Sequence, residues 1–287
     1  MSTTSYRVKF PGGLDGVQLA GIVDCPSNWQ HDVDANAAND RCVAVYSHCF
    51  TCNKDLKATV RISRALARQG IAVLRYDMMG LGGSGGSFST SNFTTNLADL
   101  AAAIRFADNE LGPVTALLGH SFGGIASLVT AAGVSQSPHD PPLSRLGFVA
   151  TLAAPSDTAH LASLLTRMNP AIERDGEGDV TIGGITWTIT SQMLADFRSH
   201  AVTAALPKIG CPVLLLHSPV DETVGIDHAL RLMSLIQTDR QSDSQTLQPV
   251  SLVSLPGADH LLTRHRSDLG FVADLITTWC RRYRGGD

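Results

Sequence analysis

The sequence predicts an α/β fold in which about eight mostly parallel strands form one sheet with helices on both faces. Short β-branched and apolar segments alternate with longer segments whose apolar residues recur at helical spacing, which is typical of successive βαβ units. The chain has 287 residues, a length that one such sheet commonly uses. We therefore expect a single domain over residues 1–287.

The elements follow one another in a regular order. The first two strands are joined by a Gly- and Pro-rich turn and should form a hairpin, followed by a polar loop over 26–41. Asp55 is expected to cap the first helix and Gly70 to end it. The strands are predicted at 6–10, 17–23, 42–47, 71–76, 114–118, 146–152, 212–216 and 250–255, and the other helices near 92–109, 122–132, 225–236 and 269–279.

The alternation breaks between about residues 157 and 207. Here two β-like stretches flank Gly183 and Gly184, and glycine accepts the positive φ angles of a tight hairpin turn. Trp187 and the isoleucines two residues to either side would share one face of the second strand. That face could dock the hairpin on the body of the protein or contact a substrate. We predict a small lid insertion.

Two segments match the pattern G-x-S-x-G, which in a strand-to-helix turn exposes a nucleophilic serine. Ser121 follows the strand at 114–118 and opens a helix of small residues. Ser84 lies in a glycine-rich stretch with no immediate helix, so we interpret it as a loop serine. Residues 80–85 also fit G-x-G-x-x-G, but that dinucleotide fingerprint requires a helix to begin inside the glycines. The context therefore favours Ser121 as the nucleophile and predicts no cofactor.

A serine nucleophile needs an imidazole to take its proton and a carboxylate to orient that imidazole. Asp221 follows a strand rich in leucine, and His260 follows the next strand and precedes the last helix. This order, serine then acid then histidine, is the one expected when each residue lies after a strand. Glu222 could replace Asp221 as the acid, and His265 could replace His260.

The tetrahedral intermediate of acyl transfer carries a negative oxygen that needs fixed hydrogen-bond donors. The backbone N–H of Phe122, directly after the nucleophile, should be one donor. The loop after the third strand should supply the other, and the N–H of Phe50 is the best candidate. Cys49 would then be a small residue at a crowded turn.

Four segments carry a family resemblance. Residues 48–55, 74–86, 119–124 and 257–260 together resemble the α/β-hydrolase domains that are fused to OsmC-like peroxide-reductase domains in some bacteria. The resemblance implies an α/β-hydrolase fold, hydrolysis of an ester-like bond and an OsmC-like domain as a partner. General α/β-hydrolases usually have His-Gly where this chain has His48-Cys49, so the resemblance makes this departure specific to the subgroup.

Bulk properties exclude several classes. The 22 basic and 26 acidic residues give a net charge of −4, so the chain has no basic surplus for nucleic acid. It shows neither an apolar signal core nor an apolar run long enough to span a bilayer, so we expect a cytoplasmic protein. The six cysteines are expected to be reduced thiols. Cys49 and Cys52 lack a second ligand pair for zinc, which argues against a metal site.

These observations predict a serine hydrolase that cleaves a small carboxylic ester or related acyl compound. Two other hypotheses remain open. One is a ligand-binding protein that keeps the fold without hydrolysing its ligand. The other makes Cys49 and Cys52 a redox pair that works with a peroxide-reducing partner.

Overall fold

The computed structural model describes residues 1–29, 41–133, 143, 145–237 and 249–283. Most of the predicted polar loop over 26–41 lies outside these residues. In the described part of the chain, the main sheet has eight strands in the order β1-β2-β4-β3-β5-β6-β9-β10. The strands are β1 (Thr3–Pro11), β2 (Gln18–Pro26), β3 (Cys42–Ser47), β4 (Ile71–Tyr76), β5 (Ala116–His120), β6 (Phe148–Leu152), β9 (Val213–His217) and β10 (Val250–Ser254).

All pairings from β4 to β10 are parallel, whereas β1 pairs with β2 and β2 with β4 in the antiparallel direction. The central strands β3, β4, β5 and β6 are buried along their whole length, as expected for a parallel sheet covered on both faces. The α/β-hydrolase fold predicted from the sequence is confirmed.

Helices cover both faces of the sheet, and each face has its own apolar core. One core includes Leu100, Ile125 and Leu232, and the other includes Ile62, Leu66 and Val272. The helices outside the insertion are α1 (Lys57–Arg68), α2 (Phe93–Leu111), α3 (Phe122–Ala131), α8 (Ile226–Gln237) and α9 (Arg266–Tyr283).

The lid segment, residues 157–207, contains the predicted hairpin, formed by β7 (Glu177–Ile182) and β8 (Ile185–Thr190). It also contains helices that the hairpin signal did not predict. These are α4 (Ala159–Met168), α5 (Ala171–Asp175), α6 (Ser191–Ser199) and α7 (Val202–Ala205).

The prediction that Asp55 caps α1 is wrong. The N-cap residue is Leu56, which has no side chain able to cap the helix. The Asp55 carboxylate instead accepts a hydrogen bond from Arg75, whose side chain is 1% exposed. Arg75 also pairs with the buried Asp24, and Asp55 adds a second carboxylate to this buried guanidinium, a contact that the Asp55 side chain makes instead of capping the helix.

Candidate active site

Ser121 lies in a strained turn between β5 and α3. Its φ is +52°, a left-handed value that residues other than glycine rarely adopt. A Cβ on Gly119 would come within 2.3 Å of the Gly123 carbonyl oxygen, and one on Gly123 within 2.3 Å of the Ser47 carbonyl oxygen. The segment 119–123, here called the elbow, therefore needs both flanking glycines because backbone meets backbone on either side.

Ser84 occupies a different kind of turn. The segment 80–86, here called the glycine loop, wraps around Asp77, whose carboxylate accepts a hydrogen bond from the Gly83 N–H at 2.8 Å. The Ser84 hydroxyl donates to the Asp77 carbonyl at 2.6 Å and accepts from the Ala20 N–H at 2.9 Å. Both uses are structural, so the interpretation of Ser84 as a loop serine is confirmed.

The structure brings Asp221 and His260 together. The His260 Nδ1 and the Asp221 Oδ2 are 2.8 Å apart. The other carboxylate oxygen accepts hydrogen bonds from the Thr223 and Val224 N–H groups at 2.8 and 3.0 Å. Burial raises the pKa of Asp221, but the hydrogen bond and positive charge of His260 outweigh it and leave the pKa below its ordinary value. Asp221 is thus held as a carboxylate facing the imidazole.

The two alternatives weighed from the sequence lie elsewhere. Glu222 and His265 are exposed to solvent, and neither takes part in the contact between Asp221 and His260. Asp221, by contrast, is 7% exposed. The structure therefore places the carboxylate and imidazole in contact through Asp221 and His260.

His217, at the end of β9, fixes the loop that carries Asp221. Its Nε2 lies 2.8 Å from the Val224 carbonyl oxygen, so this nitrogen carries the proton and donates. Burial lowers the pKa of His217, which keeps the ring neutral beside the acid.

His120 has a role that the sequence did not reveal. Its Nε2 lies 2.7 Å from the His260 carbonyl oxygen, and the two rings are 5.2 Å apart. Burial and the charge of His260 lower the pKa of His120 to about 3, so it acts as a neutral donor. Since His120 directly precedes Ser121, this bond holds His260 beside the elbow. Periodicity on β5 gave no signal for it, because the partner is a backbone atom far along the chain.

The loop formed by residues 48–52, here called the oxyanion loop, packs against the elbow. A Cβ on Gly123 would come within 2.5 Å of the His48 carbonyl oxygen, which shows how closely the two backbones approach. Phe122 is the first residue of α3, where a backbone N–H has no partner within the helix. Among the described residues, neither the Phe122 N–H nor the Phe50 N–H donates to a protein acceptor.

His48 fixes the peptide that carries the Phe50 N–H. The Met78 N–H donates to its Nε2 at 3.1 Å, so the proton is on Nδ1, which donates to the Cys49 carbonyl at 2.8 Å. The Cys52 N–H donates to the same carbonyl at 3.2 Å. In a trans peptide the N–H points opposite to the carbonyl. Two donors on the Cys49 carbonyl therefore set the direction of the Phe50 N–H.

Cys49 and Cys52 form a disulfide in the structure, with their Cα atoms 5.4 Å apart. The expectation of reduced thiols is wrong for this pair, because the turn between them brings both side chains to bonding distance. The other four cysteines are buried thiols, as predicted: Cys25, Cys42, Cys211 and Cys280.

Buried ion pairs anchor the chain directly after the oxyanion loop. The Lys54 ammonium lies 2.8 Å from the fully buried Asp77 carboxylate, and the Lys54 N–H donates to that carboxylate at 2.7 Å. Arg75 pairs with the buried Asp24 at 2.8 Å and donates to the Lys54 carbonyl at 2.8 Å. These contacts fix residues 54 and 55 against β4.

Aromatic rings connect the site to the lid segment. The Phe50 and Phe122 rings are 5.6 Å apart, and each packs on Phe197 of α6. Trp187 of β8 packs on Phe88 at 4.6 Å, and Phe88 packs on Phe50. We call these five side chains the aromatic cluster. The hairpin thus docks on the body through Trp187, and its docking partners lead to the site.

A second contact fastens the lid segment to α2. The Asp196 carboxylate of α6 accepts hydrogen bonds from the Phe93 and Thr94 N–H groups at 2.8 and 3.2 Å, and so caps the start of α2. The Thr94 hydroxyl lies 3.1 Å from His200 Nε2. The lid segment is therefore held over the site by polar as well as aromatic contacts.

Two searches bear on other classes of site. In the ranges that the structure describes, we find no group of three or more His, Cys, Asp or Glu side chains placed to hold a metal ion. No helix of the described chain has the length and apolar character needed to cross a membrane.

Comparison with known proteins gives consistent results. The model of the Alpha/beta hydrolase family matches residues 35–274. The esterase domain of a Rhodothermus marinus protein is 35% identical over 98% of this chain and 100% of that domain, with a TM-score of 0.71. The comparison with curated proteins found no match.

More distant structures share the fold alone. Est1E from Butyrivibrio proteoclasticus, solved with ferulic acid bound, is 19% identical over 96% of this chain and 98% of its own, with a TM-score of 0.75. An esterase from Pyrococcus furiosus is 14% identical over 99% of this chain and 92% of its own, with a TM-score of 0.66.

Proposed function

The chain belongs to the Alpha/beta hydrolase family, and from this premise we propose that it is a serine esterase that hydrolyses carboxylic esters or related acyl compounds through an acyl-enzyme on Ser121. The observation that carries the proposal is the contact between Asp221 and His260, held beside the strained Ser121 by His120. The esterase domain from Rhodothermus marinus, at 35% identity, supports an ester as the substrate.

In the proposed reaction His260 is the general base. Its Nδ1–H is bonded to Asp221, so Nε2 is free to accept the Ser121 proton as the hydroxyl attacks the acyl carbon. The imidazolium then protonates the leaving alcohol. Water then gives a proton to His260 as its oxygen attacks the acyl-enzyme, and the imidazolium returns that proton to the Ser121 oxygen as the acyl bond breaks and the acid leaves. The Asp221 carboxylate stabilises the imidazolium in both halves of the cycle.

The oxyanion of each tetrahedral intermediate is placed between the elbow and the oxyanion loop. The N–H groups of Phe50 and Phe122 are the donors, and the positive end of the α3 dipole lies at the same point. His48 contributes indirectly by fixing the Cys49 carbonyl, and with it the peptide that presents the Phe50 N–H. Removing one such donor typically reduces kcat by about 10²–10³-fold.

The aromatic cluster suits an apolar acyl group. The cluster includes the rings of Phe50 and Phe122, whose backbone N–H groups are the proposed donors. Phe197 of the lid segment packs on both of these rings. Rings at this position exclude water from the acyl-enzyme and strengthen the hydrogen bonds to the oxyanion. We expect p-nitrophenyl esters with apolar acyl groups to be better substrates than esters with charged ones.

Labelling with a fluorophosphonate probe tests the nucleophile. The probe reacts only with an activated serine, so the wild-type chain should be labelled once and Ser121→Ala not at all. Labelling that persists in Ser121→Ala would remove Ser121 from its role. Binding of an ester without turnover or labelling would instead support the ligand-binding hypothesis.

Matched neighbours test the acid and the base. Asp221→Asn and His260→Asn should each reduce kcat/KM for p-nitrophenyl acetate by about 10⁴-fold, because the first loses the correct tautomer and the second loses the base. Glu222→Gln and His265→Asn, at exposed positions beside them, should stay within about threefold of wild type. A larger loss in either neighbour than in its partner would overturn the assignment.

A further inference from the structure

The disulfide between Cys49 and Cys52 encloses the proposed oxyanion donor. Phe50 and Thr51 are the two residues between the cysteines, so the Phe50 N–H belongs to the closed ring. The Cys52 N–H donates to the Cys49 carbonyl, which makes the four residues a β-turn with a covalent link across its base. Nothing in the proposed esterase chemistry uses this link.

The turn contains a backbone conformation that its sequence disfavours. Thr51 has a φ of +58°, in the left-handed region where a β-branched residue is a marked outlier. Such a residue typically costs on the order of 1–3 kcal/mol, so the surroundings must impose the conformation. Apart from the turn hydrogen bond, the Thr51 hydroxyl donates to the Phe50 carbonyl at 2.7 Å, which is a contact within the turn itself.

The chain on either side of the turn is held independently. His48 is fixed from the Met78 side, and Lys54 is fixed by Asp77 and Arg75. Breaking the disulfide would therefore leave both ends of the oxyanion loop in place. Only the two residues between the cysteines would gain freedom, and one of them carries the proposed oxyanion donor.

The two sulfurs differ in access. Cys49 is 3% exposed, whereas Cys52 is partly exposed to solvent. In disulfide exchange a thiolate attacks one sulfur while the other leaves. The structure thus presents Cys52 to an incoming thiol and leaves Cys49 as the buried leaving group.

We propose that the Cys49–Cys52 disulfide is a reducible site that controls the oxyanion donor at Phe50, so that a dithiol reductant lowers the esterase activity. A thiolate of the dithiol attacks the Cys52 sulfur, the S–S bond breaks, and Cys49 leaves as a thiolate that takes up a proton. The second thiol of the reductant then attacks the mixed disulfide and releases Cys52. Two electrons pass to the chain, and the dithiol becomes a disulfide.

The consequence for catalysis follows from the freed turn. Thr51 relaxes towards negative φ, which rotates the peptides on either side of it and draws the Cys52 N–H away from the Cys49 carbonyl. His48 alone then holds that carbonyl, so the Phe50 N–H of the same peptide is less firmly directed at the oxyanion. Complete removal of a donor reduces kcat by about 10²–10³-fold, and displacement of one should reduce it by about 10-fold or more. KM should change little, because the donor acts mainly on the transition state. This inference rests on the proposed esterase function.

The test compares kcat/KM for p-nitrophenyl acetate before and after treatment of the whole chain with dithiothreitol. Alkylation and mass spectrometry count the thiols in each state. Reduction should expose two further thiols, at Cys49 and Cys52, and lower kcat by about 10-fold or more, and reoxidation should restore it. Cys52→Ser should have the kcat of the reduced wild type, and dithiothreitol should not change it. Cys211→Ala, which removes a buried thiol elsewhere, should respond as wild type does.

The outcomes separate the two proposals. Hydrolysis that depends on Ser121 but is equal in the oxidised and reduced chains would overturn the redox control and leave the esterase function standing. A Cys52→Ser chain that still loses activity in dithiothreitol would also overturn it. No Ser121-dependent hydrolysis in either state would overturn the esterase function, and the redox control with it.

Discussion

The elbow and the glycine loop share the pattern G-x-S-x-G, but their serines have different surroundings. Ser84 uses its hydroxyl as donor and acceptor to backbone groups of Asp77 and Ala20. Ser121 heads a helix, and its strained backbone lies beside the histidine that contacts Asp221. The Ser84 hydroxyl is already bonded on both sides and stabilises a loop, whereas Ser121 lies in a strained turn and is our proposed nucleophile.

The glycines of the two segments also differ. At the elbow, Cβ atoms on Gly119 and Gly123 would strike backbone, which cannot move aside without displacing a strand or the oxyanion loop. Around Ser84 the pattern glycines are Gly82 and Gly86, and their Cβ atoms would meet side chains, the Asp77 carboxylate at 2.2 Å and Met79 at 2.4 Å. The same pattern therefore reflects close backbone packing in one segment and a turn around a carboxylate in the other.

Exchange of each serine for alanine should give the largest difference between the elbow and the glycine loop. Ser121→Ala should reduce kcat for p-nitrophenyl acetate by about 10⁴-fold or more with little change in the free energy of unfolding. Ser84→Ala should do the reverse. It leaves the buried Ala20 N–H without its acceptor, which should lower the free energy of unfolding by about 1–3 kcal/mol while kcat stays within about threefold.

Both variants can be measured by ester hydrolysis and urea denaturation on the same samples. Labelling with a fluorophosphonate serves as the control for correct folding of Ser84→Ala. Loss of hydrolysis in Ser84→Ala with unchanged labelling of Ser121 would mean that the glycine loop takes part in the reaction.

The order of strands and helices could be read from the sequence because it depends on local patterns. The buried strands β3 and β4 coincide with the predicted segments, since short β-branched and apolar runs between polar turns leave little choice for where each strand begins and ends. The helices of the lid segment were not predicted, because they have only four to ten residues, too few for a helical repeat of apolar residues to stand out. Asp55 was assigned to a helix cap because a cap is a local pattern, whereas its actual partner Arg75 lies on β4, and no local pattern shows that pairing.

The candidate residues Ser121, Asp221 and His260 could be named from the sequence because the proposed chemistry demands particular residue types after strands, and the structure brings Asp221 and His260 into contact. The supporting residues were not predictable in the same way. His48 and His120 donate hydrogen bonds to backbone carbonyl groups. Every residue has such a carbonyl, so no side-chain pattern in the sequence indicates these partners. The disulfide depends on the conformation of a four-residue turn that the spacing of two cysteines permits but does not require.

Exchange of the glycines for alanine should give a smaller difference between the two segments. Gly123→Ala forces the elbow away from Ser47 and His48, and we expect the free energy of unfolding to fall by about 3 kcal/mol and kcat to fall as the oxyanion donors separate. Gly85→Ala, with no left-handed φ and only ordinary contacts at 3.5 Å for the new Cβ, should lower stability by less than about 1 kcal/mol. Thermal and urea unfolding with hydrolysis assays would measure both. Equal losses in the two variants would contradict the packing argument.

The last effect we expect is a pH dependence of the free energy of unfolding that comes from Asp99 and leaves catalysis unchanged. Asp99 of α2 supports the chain before the glycine loop by accepting from the Met79 N–H at 2.8 Å, and burial raises its pKa to about 6. The folded state thus holds this proton more tightly than the unfolded chain. Its stabilising contribution is complete below about pH 4 and is lost as the pH rises through about 6. Between about pH 4.5 and 7.5, wild type should therefore lose on the order of 2 kcal/mol of unfolding free energy relative to Asp99→Asn. Because this carboxyl is part of the scaffold, the pH profile of kcat should be the same in both chains. A profile that moves with Asp99→Asn would place the glycine loop and its supports within the catalytic machinery.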